Sequence, residues 1–276
     1  MHSKLPAIRA FVLAAWHVLA VLGVILYPPS WGLALLTFAV YVIGMFGITA
    51  GYHRYFSHRS FRTSRAGQLV LAVLAQSTLQ KGVLWWAANH RHHHVFSDHK
   101  EDSHSPKHHG LLHAHMGWVV SNEGQTHDAR RIRDLVRIPE LRWLERYHTV
   151  PPIALAVGMT MVGGMNGLVW GFTLPLLLLQ HATFSVNSVA HVWGRRPYAT
   201  EDTSRNNFLL AILTLGEGWH NNHHFYQVSA RQGFLWWQID PTFQVLRVLS
   251  WVGLVWDLKT PPARVLAARN AAPVSP

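Results

Sequence analysis

Three stretches of this 276-residue chain contain no Asp, Glu, Lys or Arg: Phe11 to Tyr27, Trp31 to Ala50 and Thr149 to Val192. A soluble domain has nowhere to hide apolar runs of that length. A helix rises about 1.5 Å per residue, so about 20 apolar residues cross the hydrocarbon core of a bilayer. The first two runs approach that length and read as a hairpin turned at Tyr27-Pro28-Pro29-Ser30. The third is long enough for two crossings and is interrupted by Gly163-Gly164-Met165-Asn166-Gly167. The pattern predicts an all-α integral membrane protein, a single domain over 1–276, with four transmembrane helices at about 10–27, 31–50, 149–165 and 168–191.

Every Lys and Arg lies outside these runs: two before the first, 14 between Tyr52 and His148, and eight after Val192. By the positive-inside rule both chain ends and the long middle segment face the cytoplasm, so 52–148 and 193–262 are expected to form one cytosolic cap. Ala66 to Trp86 is also apolar, but Gln68, Gln76, Gln80 and Lys81 interrupt it. It is assigned to an interfacial or cap helix. The tail from Thr260, with Pro261-Pro262, is expected to fray.

The chemistry is written in histidine. His53 and His58 stand in HRYFSH, His90, His93 and His94 in HRHHH, and His220, His223 and His224 in HNNHH. The last two clusters share the spacing i, i+3, i+4, which stacks three imidazoles on one helix face. Neutral imidazole is the commonest side-chain metal ligand, and eight exceed what one ion uses, so the count predicts two metal ions. His53 and His58, five apart, are separated by about 140° on an ideal α-helix, which places them at a helix end where the chain turns.

The chain has no cysteine, which excludes thiolate zinc, iron–sulfur clusters and thiolate haem. Asp98, Asp102 and Glu217 flank the clusters and are read as acceptors for the second N–H of ligating imidazoles. Asn187 and His191, at i and i+4 near the end of the fourth run, lie where the first and third clusters should converge. His17 and His181, alone on apolar runs, are read as hydrogen-bonded structural residues. His104, His108, His109, His113, His115 and His127 are read as loop histidines outside the metal set.

GYHRYFSHRSF, NHRHHHVFSD, NSVAHVWGRRPY and GEGWHNNHH, in this order between Trp31 and Arg269, resemble the signature segments of the integral-membrane fatty acid desaturases, in particular the Δ9 acyl desaturases related to stearoyl-CoA desaturase. That resemblance implies four transmembrane helices shaped as a stalk and a cytosolic helical cap holding a histidine-ligated di-iron site. It implies nine metal ligands: His53, His58, His90, His93, His94, His191, His220, His223 and His224. Asn187 would contribute through water, and His92 occupies the variable position of its box. Gln80, Trp86 and Thr183 match the residues that line the bend of the family's acyl tunnel. The animal acyl-CoA enzymes carry an Arg-Asp pair before the second box and a basic pair after the cap's Gly-Trp. Here those places read Ala88-Asn89 and Ser121-Asn122, which leaves the acyl carrier open among CoA, acyl carrier protein and a membrane glycerolipid.

The implied reaction is the O2-dependent introduction of a cis double bond, most simply Δ9, with reduction of dioxygen to water. No side chain is basic enough to deprotonate an alkane, so a metal-activated oxidant is required. The chain carries no nucleotide-binding glycine fingerprint, cluster cysteine or haem domain. Electrons would come from a ferredoxin or cytochrome b5-like donor with its reductase. The net charge of +11 is read as a docking face for acidic proteins or anionic lipid, with no nucleic-acid partner. The rival readings are a membrane di-iron hydroxylase of fatty acid, alkane or carotenoid and, more distantly, a metal transporter. The transporter would need polar ligands along its spans, whereas these cluster at one end.

Overall fold

The computed structural model describes residues 4–269. The chain opens with α1 (Leu5–Leu26), turns over Tyr27 to Ser30, and enters α2 (Trp31–Phe46), whose first turn is capped by Ser30 accepting from the Leu33 amide. The helix does not stop at Ala50. It continues as a π-helical segment over Gly47–Ser57, so the apolar rod runs unbroken from Trp31 to Ser57. Three helical runs are long and apolar enough to cross a membrane: Leu5–Leu26, Trp31–Ser57 and Val150–Val192.

The third run is not one straight rod. Its first part, α8 (Val150–Leu168), is followed by a π segment (Val169–Thr173) and α9 (Leu174–Val192), and Gly164 inside α8 has φ 56° and ψ −143°. A Cβ on Gly171 would lie 2.8 Å from Met159 Sδ. In a straight helix the 12 residues between those positions would separate them by about 18 Å. The chain therefore doubles back at Gly164, within the glycine-rich interruption seen in the sequence. Only glycine adopts that backbone conformation at no steric cost.

The stretch expected to form one interfacial helix is two. After β1 (Arg62–Thr63), α3 spans Arg65–Gln76 and α4 spans Val83–Phe96, and Leu79 and Lys81 at positive φ break the path between them. α3 has 12 residues. A helix of that length rises only about 18 Å, short of the roughly 30 Å of a hydrocarbon core. The Gln and Lys residues that argued against a crossing fall at this break and on the buried face. Gln76, for instance, donates to the Leu144 carbonyl.

The remainder is short helices joined by loops: α5 (Pro106–His109), a π turn (His113–Gly117), α6 (Trp118–Val120) and α7 (Pro139–Arg146) before α8, then α10 (Phe208–Leu213), α11 (His220–Phe225), α12 (Pro241–Trp251), β2 (Val255–Trp256) and α13 (Ala263–Ala267). β2 pairs antiparallel with β1. The tail is more ordered than its composition suggested, because Val265 of α13 packs with Tyr198 and Phe234. Residues 270–276 of that expectation lie outside the described residues. The main core joins the π segment of α2 to α3, α4, α7 and α12 through Tyr52, Phe56, Leu71, Leu141 and Leu246. By contrast, Phe11, Trp31, Phe38, Met161 and Val162 stand exposed on the long helices.

Candidate metal centre

The π segment changes the geometry of the first histidine pair. A π-helix bonds residue i to i+5. Accordingly, the His58 amide donates to the His53 carbonyl at 3.2 Å. Residues five apart therefore stack, and the two rings lie 4.8 Å apart. The pair sits at a helix end, as expected, since the π segment closes at Ser57 and His58 is its C-cap. What the sequence did not show is the wider last turn, which brings the capping His58 beside His53 and closes the gap of about 140° that an ideal α-helix would leave.

The nine predicted histidines converge in two groups. His53, His58, His90, His94 and His223 form one, His93, His191, His220 and His224 the other, with one ring nitrogen from each member lying within 4.8 Å of the rest of its group. In the first, Nε2 of His58 faces Nε2 of His90 at 2.8 Å, and Nε2 of His53 faces that of His223 at 2.9 Å. In the second, Nε2 of His191 and His220 approach to 3.1 Å. The i, i+3, i+4 clusters divide: α4 gives His90 and His94 to one group and His93 to the other, and α11 gives His223 to one and His220 and His224 to the other.

Burial drives His58, His90, His94, His220 and His223 well below the usual imidazole range, and the neighbouring imidazoles push the same way. Deprotonated nitrogen is the form a metal needs. Nδ1 of His94, Nδ1 of His220 and Nε2 of His224 are buried without any partner. Clustered neutral nitrogens with orphaned lone pairs fit cations better than they fit one another. An all-imidazole donor set suits zinc, copper, iron and nickel alike.

Carboxylates stand behind the rings. Glu217 Oε2 lies 2.5 Å from His53 Nδ1, Asp102 Oδ2 3.0 Å from His93 Nδ1, and Asp98 Oδ2 3.4 Å from His191 Nδ1. All three were expected from the sequence. Burial opposes ionisation of Asp102, but His93 and His104 outweigh it and hold the acid far below its ordinary value. For Asp98, burial is outweighed by His191, Thr203 and Ser105. Sequence reasoning missed Asp202, whose Oδ2 lies 2.6 Å from His224 Nδ1, and Arg54, which is wholly buried between Glu217 and Asp240. Burial pulls His224 down to about 4 although Asp202 opposes it. Among the described residues, the buried charged side chains are Asp98, Asp102, Asp202, Glu217 and Asp240 against Arg54. Five carboxylates and one guanidinium leave the interior net acidic, and although burial opposes it, Asp102 holds His93 above the usual imidazole range.

The remaining predicted residues meet beside the rings. Gln80 Nε2 donates to Thr183 Oγ1 at 3.0 Å, and Trp86 stacks on His90 with centroids 4.9 Å apart. A narrow cavity of about 60 Å³ runs between α2 and α9 past Met45, Ile48, Thr183 and Asn187 to His90 and His220. A second, of about 80 Å³, opens on the cap side past Gln80 and Trp118. Trp86, Thr183 and Asn187 line both. His17 and His181 are satisfied as expected, by each other at 2.8 Å, and His181 also pairs with His115 at 3.0 Å. His115 is thus no bare loop residue.

The model of the fatty acid desaturase family matches residues 29–250. The chain is a member of that family. As a family member it is an oxidoreductase of lipid metabolism, and the apolar helices agree with the membrane association of the family. The desaturase is 37% identical to the Delta-9 acyl-lipid desaturase 2 of Arabidopsis thaliana, over 89% of its own length and 80% of the relative's. It is 38% identical to the acyl-CoA C20 Delta5-desaturase of Anemone leveillei, over 89% and 82%. To the hex-5-enoyl-[acyl-carrier protein] acetylenase of Moorena producens it is 35% identical, over 86% and 80%. These three relatives are named for three different acyl carriers.

Proposed function

We propose that this desaturase introduces a cis double bond, most simply Δ9, into a saturated acyl chain, using two irons held by the five-histidine and four-histidine groups. The observation that carries this reading is the convergence of nine imidazoles in two groups, within an interior where five buried carboxylates face one guanidinium. In balance, one acyl methylene pair, dioxygen, two electrons and two protons give one alkene and two waters. The irons would supply the oxidising chemistry that no side chain can. The protein's own residues hold and orient. Apolar walls between α2 and α9 would take the acyl chain, and the Gln80–Thr183 hydrogen bond and the Trp86 ring would fix its bend beside the metals. Asn187 sits at the junction of the cavities and would present a water to the metal nearest His220.

In this reading the helix reversed at Gly164 supplies the third and fourth membrane crossings. The part of α8 before that glycine is short for a crossing, about 14 residues or about 21 Å. Both ends of the described chain and the metal centre face the cytoplasm, where a ferredoxin or cytochrome b5-like protein delivers electrons. The carrier is CoA, acyl carrier protein or a glycerolipid; relatives named for acyl-CoA, acyl-carrier protein and acyl-lipid substrates support all three.

The test is the fatty acid profile of a desaturase-deficient host expressing this chain or its His90→Ala variant, read by gas chromatography with mass spectrometry. A new monounsaturated species absent from the variant is expected, and its fragmentation places the bond. Hydroxylated products would overturn desaturation in favour of hydroxyl transfer at the same site.

A further inference from the structure

A further group of side chains of metal-ligand type lies in the cap, apart from the nine histidines. His109 ends α5, His113 opens the following π turn, and Glu123 follows α6, with one donor atom of each lying within 4.8 Å of the other two. The two rings have centroids 5.0 Å apart. Gly110 between them, at φ 82°, lets them arrive from separate helical turns.

The hydrogen bonds assign the nitrogens. Nε2 of His113 lies 3.2 Å from the Ser103 carbonyl, which can only accept, so Nε2 carries the proton and Nδ1 keeps its lone pair. A Cβ at position 117 would lie 3.1 Å from that Nδ1, and the glycine there leaves the nitrogen room. Nε2 of His109 is buried with no hydrogen-bond partner. An orphaned buried imidazole nitrogen, a second ring anchored through its N–H to a carbonyl, and a carboxylate within reach form a metal-ligand set with its outer support already in place.

We propose that His109, His113 and Glu123 bind a divalent cation of the zinc type, with water in the fourth position. Two imidazoles and one carboxylate suit tetrahedral Zn2+ and leave room for one small ligand. The site is a brace. Ser103, whose carbonyl holds His113, follows Asp102, and Asp102 orients His93. The loop carrying Glu123 is in turn tied to α1, because Arg9 donates to the Ser121 carbonyl at 2.7 Å. A cation here fastens the Asp102 loop to the segment that leans on the first long helix. The inference stands whether or not the nine histidines hold iron.

The test uses the full chain in detergent, freed of loosely held metal with a mild chelator and titrated with Zn2+, with bound zinc per chain measured by plasma mass spectrometry. Wild type should bind one zinc more than His109→Ala/His113→Ala, since the nine-histidine centre is common to both. Glu123 is exposed, so Glu123→Ala preserves the fold and should weaken that zinc about tenfold or more. Equal zinc uptake and affinity in all three proteins would overturn the proposal. So would loss of zinc from the double variant beside unchanged affinity in Glu123→Ala, which would place the effect in folding.

Discussion

The two histidine groups share neighbours yet are built on different electrostatics. In the five-histidine group, among the described residues, only His53 has a carboxylate behind it, and that carboxylate, Glu217, is also held by Arg54. In the four-histidine group three rings have one, through Asp102 to His93, Asp98 to His191 and Asp202 to His224. A carboxylate on the far nitrogen raises the basicity of the ligating one and fixes its tautomer. One group thus gathers more nitrogens, the other gathers better ones. The lesson is that ligand number and ligand strength trade against each other within a single centre. The ion in the four-histidine group should be the harder to remove once its anions are intact.

The largest effect should come from taking a ligand from either group. His90→Ala and His220→Ala are each expected to abolish desaturation and to lower bound iron by about one ion per chain, read by product profile and metal analysis. Equal loss of both ions from either variant would show one cooperative centre instead of two unlike ones. Next, Glu217→Gln leaves the buried Arg54 guanidinium with Asp240 as its one carboxylate, beside the Ala230 carbonyl. Stability should then fall by about 3 kcal/mol in denaturant unfolding. Asp202→Asn and Asp102→Asn should weaken metal binding by about 10–100-fold, selectively in the four-histidine group, as metal titration would show. A matching loss from the five-histidine group would break the comparison.

The smallest effect is that of pH. Histidines whose folded pKa is depressed bind protons more readily when unfolded, so stability and metal retention are full above about 6.5 and fall as pH drops below it. For His224 the loss continues down to about 4. Its Asp202 partner acts in the same sense at lower pH, its stabilising charge vanishing only well below the ordinary carboxylate range. Metal retention that rose on acidification would contradict this sign.

Much of this was legible in the residues, and the gaps have physical causes. Charge-free runs announced the long helices because no other element hides so many apolar residues, and the glycine-rich interruption announced the reversal at Gly164. The i, i+3, i+4 clusters announced that imidazoles would gather but not their partition, since which ring faces which group depends on how α4 and α11 cross. Asp98, Asp102 and Glu217 were visible through proximity in sequence. Asp202 was not, because it reaches His224 across a loop without periodicity, and Arg54 looked like one basic residue among many beside a histidine. The length of the second rod was underestimated because Tyr52, His53 and Arg54 read as the start of a polar segment, whereas all three are buried.

Between residues 47 and 57 each backbone hydrogen bond spans one more residue than in an ordinary helix, and that brings His58 under His53. The register of the first ligand pair is therefore stored in a count of residues as well as in their identity. Removing one residue from that segment would let it rewind to the commoner helix and swing His58 by about 100° from its place, with every side chain unchanged in kind. The enzyme should accordingly be as sensitive to the length of this segment as to the identity of its buried side chains.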